Sequence, residues 1–353
     1  MDQSFQLCIL RLSAIGDVCH AAAMVNRLVS MRPQIKITWI IGKIEYQLLK
    51  GMANVEFIVY DKKGGNESNR SLLTSLNGRV FDALFIMQVA LRANLLSRKI
   101  NAKRRIGFDW ARSKEGHWLF ADERIAAKQH AHVLDGFMGF ADVLLNEQNS
   151  EIKGQNAYHP QWNIPIESQD RDWAYQQTNP LGQYIVISPA ASKAERNWSA
   201  KGYAAVAQHC ASLGYKVVLC GGPGPLDQQM AEQIMALTDT ITLNLVGKTN
   251  LKQMLAVLTD AQLVIAPDTG PAHMATTVST PVIGLYAHSN PLRTGPYMSL
   301  ARTVSVYAAC IEHQKGKSWQ QLTWGTRAKG AGLMSLIKEQ DVIEQIDQVL
   351  VAL

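Results

Sequence analysis

Hydrophobic and polar positions along the chain follow two periods that replace each other many times. Residues 7–12 form a short apolar run, followed by the turn-like Ser13-Ala14-Ile15-Gly16-Asp17 and a helical pattern through Leu28. Further strand-like runs fall at 35–41, 55–60, 83–87 and 104–108, separated by segments of helical period. Such alternation predicts a parallel sheet covered by helices on both faces. The pattern lapses over 146–169, a polar stretch with Pro160 and Pro165 and little periodicity, which marks a linker. It then restarts, with strand-like runs at 184–188, 216–220, 241–245, 262–266 and 282–286. A second doubly wound sheet is expected there. Residues 341–353 place Val342, Ile343, Ile346, Val349 and Leu350 on one helical face, an amphipathic helix able to pack on either domain.

The expected fold class is α/β, with two Rossmann-like doubly wound domains facing a central cleft. The expected boundaries are 1–160 and 161–335, with a helix over 336–353 that could return to the first domain. Ligands of open α/β sheets bind beyond the carboxyl ends of the strands, so the loops there are where chemistry is to be sought.

Composition narrows the class. A chain of 353 residues, 47% hydrophobic and 18% charged, has enough apolar material for two cores and too little charge for a disordered protein. Lys and Arg number 35 against 29 Asp and Glu, a net charge of +6 that suits an anionic partner. Nucleic acid, nucleotide, membrane surface and phosphorylated sugar all remain open on that figure. Tryptophan and tyrosine are not interleaved with lysine and arginine as a stacking platform requires, and no nucleic-acid motif is present, so a non-enzymatic nucleic-acid binder is disfavoured. The five cysteines (Cys8, Cys19, Cys210, Cys220, Cys310) form no C-x-x-C pair and no cluster of zinc spacing. They are expected to be free thiols in a reducing compartment. The N-terminal Met-Asp-Gln-Ser-Phe-Gln lacks the basic region of a secretion signal, and no apolar run approaches the roughly 18 to 20 residues of a spanning helix. A cytoplasmic protein is expected, with peripheral contact to a membrane face left open.

Three loops carry candidate chemistry. The first, 13–20, has neither a full G-x-G-x-x-G nor a P-loop pattern. Its Asp17 is either a first-turn carboxylate favourable to the helix dipole or a general base. His20, one turn later, suits a helix-face or core position better than a second base. In the second half, Ser188-Pro189-Ala190-Ala191-Ser192-Lys193-Ala194-Glu195-Arg196-Asn197-Trp198 brings hydroxyl and cationic groups to the end of a strand. Ser192, Lys193 and Arg196 suit a phosphate there, and an exposed, solvated loop is the alternative. Cys220-Gly221-Gly222-Pro223-Gly224-Pro225 allows close backbone approach, with Asp227 read as a helix cap or a ribose ligand and the cap favoured. The strongest local feature is Ala266-Pro267-Asp268-Thr269-Gly270-Pro271-Ala272-His273, where Gly270 and Pro271 open a helix whose free amides, with Thr269, would receive a diphosphate. Asp268 also reads as an N-cap, and His273 as either a donor to the ligand or a packed ring.

Taken together, Asp268-Thr269-Gly270-Pro271-Ala272-His273, the downstream Tyr286-Ala287-His288-Ser289-Asn290-Pro291 and the N-terminal Ser13-Ala14-Ile15-Gly16-Asp17-Val18 resemble the ADP-heptose:lipopolysaccharide heptosyltransferases, in the right order over most of the chain. The resemblance implies a GT-B fold and a metal-independent, inverting transfer, with no cofactor beyond ADP-heptose as donor. It implies an N-terminal domain for the Kdo-lipid A acceptor, a C-terminal domain for the ADP-sugar, and work at the cytoplasmic face of the inner membrane. By position, Asp17 resembles the catalytic base. Arg196 stands where the family has a diphosphate-binding lysine in a Lys-x-Trp pattern, here Arg196-Asn197-Trp198. Ser192, Asp268, Thr269, Gly270, Pro271, Ala272 and His273 match donor-binding positions. The transfer expected is of L-glycero-D-manno-heptose to the Kdo/inner-core region, of the heptosyltransferase I type. The alternative is a related transferase with another nucleotide sugar or a later core acceptor. The segment 317–327 also resembles the family and is expected to lie near the cleft or cover it.

The charge can be localised. Between Arg92 and Lys128, ten basic residues stand against four acidic ones, an excess of six that equals the net charge of the whole chain. Arg104, Arg105, Arg112 and Lys114 are therefore expected to contact the phosphorylated acceptor, with a solvated face as the alternative.

Overall fold

A computed structural model of the chain describes residues 4–145 and 159–351. Its contacts divide it into two units, Met1–Pro165 and Ile166–Leu353. Of the linker expected over 146–169, residues 146–158 lie outside the described residues.

The first unit holds strands β1 (Gln6–Leu10), β2 (Lys36–Gly42), β3 (Val55–Tyr60), β4 (Ala83–Ile86), β5 (Arg105–Gly107) and β6 (Glu123–Arg124), laid out as β3-β2-β1-β4-β5-β6. All the pairings are parallel. Helices α1 (Ile15–Met31), α2 (Lys43–Leu49), α3 (Gly65–Leu76), α4 (Leu91–Ser97) and α5 (Val133–Leu145) connect and cover it. The second unit repeats the plan. Strands β7 (Tyr184–Ile187), β8 (Lys216–Leu219), β9 (Ile241–Asn244), β10 (Leu263–Pro267), β11 (Val282–Tyr286) and β12 (Val304–Ser305) lie as β12-β11-β10-β7-β8-β9. Counted from its own first strand, that is the same order, the Rossmann winding. Its helices are α6 (Ser168–Thr178), α7 (Ala200–Ser212), α8 (Pro225–Met235), α9 (Leu251–Thr259), α10 (Gly270–Thr277), α11 (Pro291–Thr294), α12 (Tyr307–Lys315) and α13 (Glu339–Val351).

Burial explains why the central strands read as unbroken apolar runs. Leu7, Cys8, Ile9 and Leu10 of β1 and Ile185, Val186 and Ile187 of β7 are wholly inaccessible, because helices cover both sheet faces. Each such aliphatic side chain contributes about 1.5–3 kcal/mol. By contrast β3, at an edge, exposes Glu56 and Val59. The C-terminal helix α13 buries Val342, Ile346 and Val349 in the second unit's core, against α7, β11 and β12. All five cysteines are buried and unpaired, and burial pushes the Cys210 and Cys220 thiols up to about 12, which keeps them protonated. No helix among the described residues is long and apolar enough to cross a membrane.

In each sheet the winding reverses between two neighbouring strands, β1 and β4 in one, β7 and β10 in the other. The chain leaving those four carboxyl ends carries the residues described next, at the point where such folds bind ligands.

Candidate active site

In the first unit, Asp17 is the third residue of α1, and its Oδ2 accepts the Ala14 N–H at 3.2 Å. The same oxygen forms an ion pair with Arg11, the residue that follows β1 by one position. Arg11 is held in turn: it donates to the Met87 carbonyl at the end of β4 and lies over the Phe137 ring, 5.3 Å from its centroid. Gln88, next along, accepts the Leu12 N–H at 2.7 Å and donates to Ser13 Oγ at 3.4 Å. These contacts tie the ends of β1 and β4 into one frame. Asp17 keeps about a third of its side chain exposed, while Arg11 is almost fully enclosed. The carboxylate thus serves as a helix-start acceptor and still presents an open face. His20 is buried, edge-on to His132 with 5.2 Å between ring centroids, in keeping with a core position.

In the second unit, Asp268 leaves β10 with its carboxylate enclosed by three partners. Ser289 Oγ donates to Oδ2 at 2.7 Å, Arg196 Nη1 stands 3.9 Å from Oδ2, and His273 Nε2 stands 3.8 Å from Oδ1. Burial pushes this carboxyl up, but His273, Ser289 and Arg196 together outweigh it and hold the group below the usual carboxylate value. Asp268 is therefore a charged group that organises Arg196, His273 and Ser289 around it. The N-cap of α10 is Thr269, so the capping alternative for Asp268 does not hold. Thr269 makes no side-chain cap, its Oγ1 is buried without a hydrogen-bond partner, and Pro271 sits in the first turn. The Gly270 and Ala272 amides are left for an outside acceptor. Ser188, at the end of β7, likewise has a buried hydroxyl without a partner. Two unsatisfied hydroxyls at adjoining strand ends are costly unless a ligand takes them.

The loop bearing Arg196 is built to present it. Trp198 is buried and donates Nε1–H to the Ile337 carbonyl at 3.0 Å, Asn197 Oδ1 accepts the Ala191 N–H at 2.7 Å, and the Glu195 carbonyl lies 2.8 Å from His288 Nε2. Ser192 and Lys193 are exposed in the same loop. Asp227 is not the cap of α8, which is Gly224; its carboxylate accepts the Gly222 N–H at 2.8 Å and braces the glycine loop. Segment 317–327 packs within the second unit, where Tyr307 donates to the Thr326 carbonyl and His288 Nδ1 lies 3.1 Å from the Ala328 carbonyl.

A family model for glycosyltransferase family 9 (heptosyltransferase) matches residues 69–322. The chain belongs to glycosyltransferase family 9. It is 44% identical over 340 residues to the lipopolysaccharide core heptosyltransferase OpsX of Haemophilus influenzae, covering 96% of this chain and 95% of that one. Among solved structures, a family 9 glycosyltransferase from Veillonella parvula superposes with a TM-score of 0.80 at 23% identity, covering 99% and 98% of the two chains. The E. coli heptosyltransferase WaaC with ADP gives 0.74 at 18% identity, covering 98% and 100%. The two-domain GT-B fold expected of a family 9 heptosyltransferase is therefore the fold observed.

The basic segment of this heptosyltransferase is more internally committed than its sequence suggests. Arg104 pairs with both carboxylate oxygens of Glu123 at 2.6 Å, Arg105 donates to the Ser97 and Ile100 carbonyls at 2.8 and 2.6 Å, and Arg112 pairs with Asp109. Lys114 is exposed. Arg124 lies over the Trp110 ring, 4.0 Å from its centroid, a pairing fourteen residues apart that linear spacing hides. Among the described residues, no three His, Cys, Asp or Glu side chains converge as metal ligands.

Proposed function

We propose that this family 9 enzyme transfers L-glycero-D-manno-heptose from ADP-heptose to the Kdo of a Kdo-lipid A acceptor, with inversion and without a metal, at the cytoplasmic face of the inner membrane. The observation that carries the donor assignment is the start of α10. An uncapped helix N-terminus with a buried, unpartnered Thr269 hydroxyl, flanked by Arg196 and His273, is suited to a diphosphate. The relatives named as core heptosyltransferases support the sugar and the acceptor.

In this reading Asp17 takes the proton of the acceptor hydroxyl as its oxygen attacks the anomeric carbon from the face opposite the nucleotide. The bond to the β-phosphate oxygen breaks with its electron pair, and ADP leaves. The charge that develops on the departing phosphate is met by Arg196, the Gly270 and Ala272 amides and the Thr269 hydroxyl. Arg11 positions Asp17 and touches no substrate. Ser192 and Pro271 complete the donor loops. At the acceptor, Lys114 contacts phosphate directly, while Arg104, Arg105 and Arg112, held by the chain's own oxygens, shape the surface beside it.

Offering Kdo-lipid A and a heptose-extended core acceptor side by side tests the assignment. Addition to the Kdo acceptor is expected, with the new glycosidic bond of opposite anomeric configuration to the donor by NMR. Preference for the extended acceptor would move the enzyme to a later core step, and retained configuration would contradict single displacement.

A further inference from the structure

The first unit exposes an aromatic and aliphatic surface that the transfer chemistry does not use. Trp110 and Trp118 are 65% and 46% exposed, with ring centroids 6.2 Å apart. Leu119 and, on α4, Leu91 and Leu95 are each more than half exposed. The two leucines of α4 are four residues apart and share a helix face. Short contacts join these elements: Leu91 N–H donates to Glu115 Oε2 at 2.7 Å, Asn94 Nδ2 to the Glu115 carbonyl at 3.2 Å, and Arg98 to the Leu119 carbonyl at 3.2 Å. Arg124 stacks on Trp110 and donates to the Trp118 carbonyl at 3.2 Å.

The loop that carries the tryptophans is rigidly held. His117, wholly buried, lies beneath it, accepting the Phe108 N–H at Nε2 (3.1 Å) with Nδ1 2.9 Å from Asn94 Oδ1. Gly107 leaves the room this requires, since a Cβ there would stand 2.7 Å from His117 Nε2 and 2.6 Å from Ala121 Cβ. Gly116 makes the turn before His117 in the left-handed region, at φ +69°. A buried histidine and two glycines thus hold two large indole rings largely in water, in contact with each other and with Arg124.

We propose that this surface docks the enzyme on the headgroup region of an anionic phospholipid bilayer, with Trp110 and Trp118 seated at the interface. Charge complementarity selects the occupant. Arg98 and Arg124 lie on the patch and Lys114 is exposed in the same loop, and the segment 92–128 carries a sequence excess of six positive charges even though Lys103 and Lys128 pair with Asp82 and Asp142 outside it. Each Lys or Arg near an anionic membrane surface contributes about 1 kcal/mol, and tryptophan prefers the depth where an apolar ring meets a wet edge. A surface of exposed indole and leucine bordered by cations matches that environment on both counts. The inference gives a physical basis to the membrane location proposed above. It rests on that reading only for its purpose, because vesicle binding and sugar transfer are separate readouts.

Sedimentation with sucrose-loaded vesicles tests it. Wild-type protein is expected to sediment with phosphatidylcholine vesicles containing phosphatidylglycerol, less so in high salt, and not with phosphatidylcholine alone. Asp17→Ala should sediment like wild type. Trp110→Ser/Trp118→Ser should lose about tenfold or more in partitioning while keeping its circular dichroism spectrum and its transfer to a deacylated, water-soluble acceptor. Leu91→Gln/Leu95→Gln should weaken binding in the same direction. Sedimentation of both double variants equal to wild type would overturn the proposal. So would absence of vesicle binding together with a dimer, or single-stranded DNA binding, that the tryptophan variant loses.

Discussion

Arg11 and Arg196 do comparable work for two carboxylates, and the residue scale is where the site is most exposed to test. Arg196 is the cation nearest the Asp268–Thr269 loop, so Arg196→Ala is expected to raise the donor KM or lower kcat by about 10- to 100-fold, the value of one charge-assisted contact of roughly 1.5–3 kcal/mol. Donor kinetics equal to wild type would place Arg196 outside the diphosphate site. Arg11→Met removes the partner that orients Asp17 and is expected to lower kcat while calorimetric ADP-heptose affinity stays unchanged; a fall in donor affinity instead would mark a general folding defect. Asp17, Asp268, Thr269 and His273 were legible because they are contiguous with glycine and proline at strand-to-helix junctions. Arg11 was not, since it sits inside what reads as an apolar strand run, and its partner matters only once β1 has ended and α1 has begun. Ser289 and His288 were missed as partners for a related reason: they act on residues 21 and 93 positions away. Charge alone points Arg104, Arg105 and Arg112 at a ligand, whereas Glu123, Asp109 and backbone carbonyls engage them within the fold.

Strands of four or more residues show themselves as apolar runs, whereas the nine-residue helix α12, which has no apolar stripe, does not. Ten of the twelve described strands coincide with apolar runs; β6 and β12, two residues each, carry no period and exist only because a neighbouring strand offers its edge. The loop 109–120 is likewise invisible, because its order comes from contacts distant in sequence, the buried His117 side chain central among them. That side chain has a pH signature. Burial, with Arg124 adding to it, pulls the His117 pKa from 6.5 down to about 4, and its Nε2 must stay unprotonated to accept the Phe108 N–H. The unfolded chain binds a proton near the ordinary value and the folded one does not. The contribution is therefore intact above about pH 6.5 and is lost as pH falls towards 4, up to about 3 kcal/mol. Urea unfolding at pH 7 and pH 4.5 should show this loss in wild type and a smaller one in His117→Gln; equal losses would remove His117 as the acid-labile tie.

At the scale of the whole molecule, two sheets of one winding order each offer a single switch point, and each switch point holds one half of the proposed chemistry: a braced carboxylate in the first unit, an anion-receptive helix start in the second. The positive charge lies in the unit proposed to take the lipid acceptor, and the unit proposed to take the donor supplies its own cation at Arg196, with His273 beside the same carboxylate. In the proposed transfer those groups and the α10 amides receive the charge on the leaving phosphate, so the rate is expected to be unchanged in EDTA; activity lost to the chelator and restored by a divalent ion would contradict that. The most direct measurement is the mass of Kdo-lipid A after incubation with ADP-heptose and either wild-type protein or Asp17→Ala. The account predicts one added heptose with wild type and, with the variant, a rate lower by about two to four orders of magnitude at unchanged ADP-heptose affinity. An unmodified acceptor with wild type, or full turnover by Asp17→Ala, would contradict it.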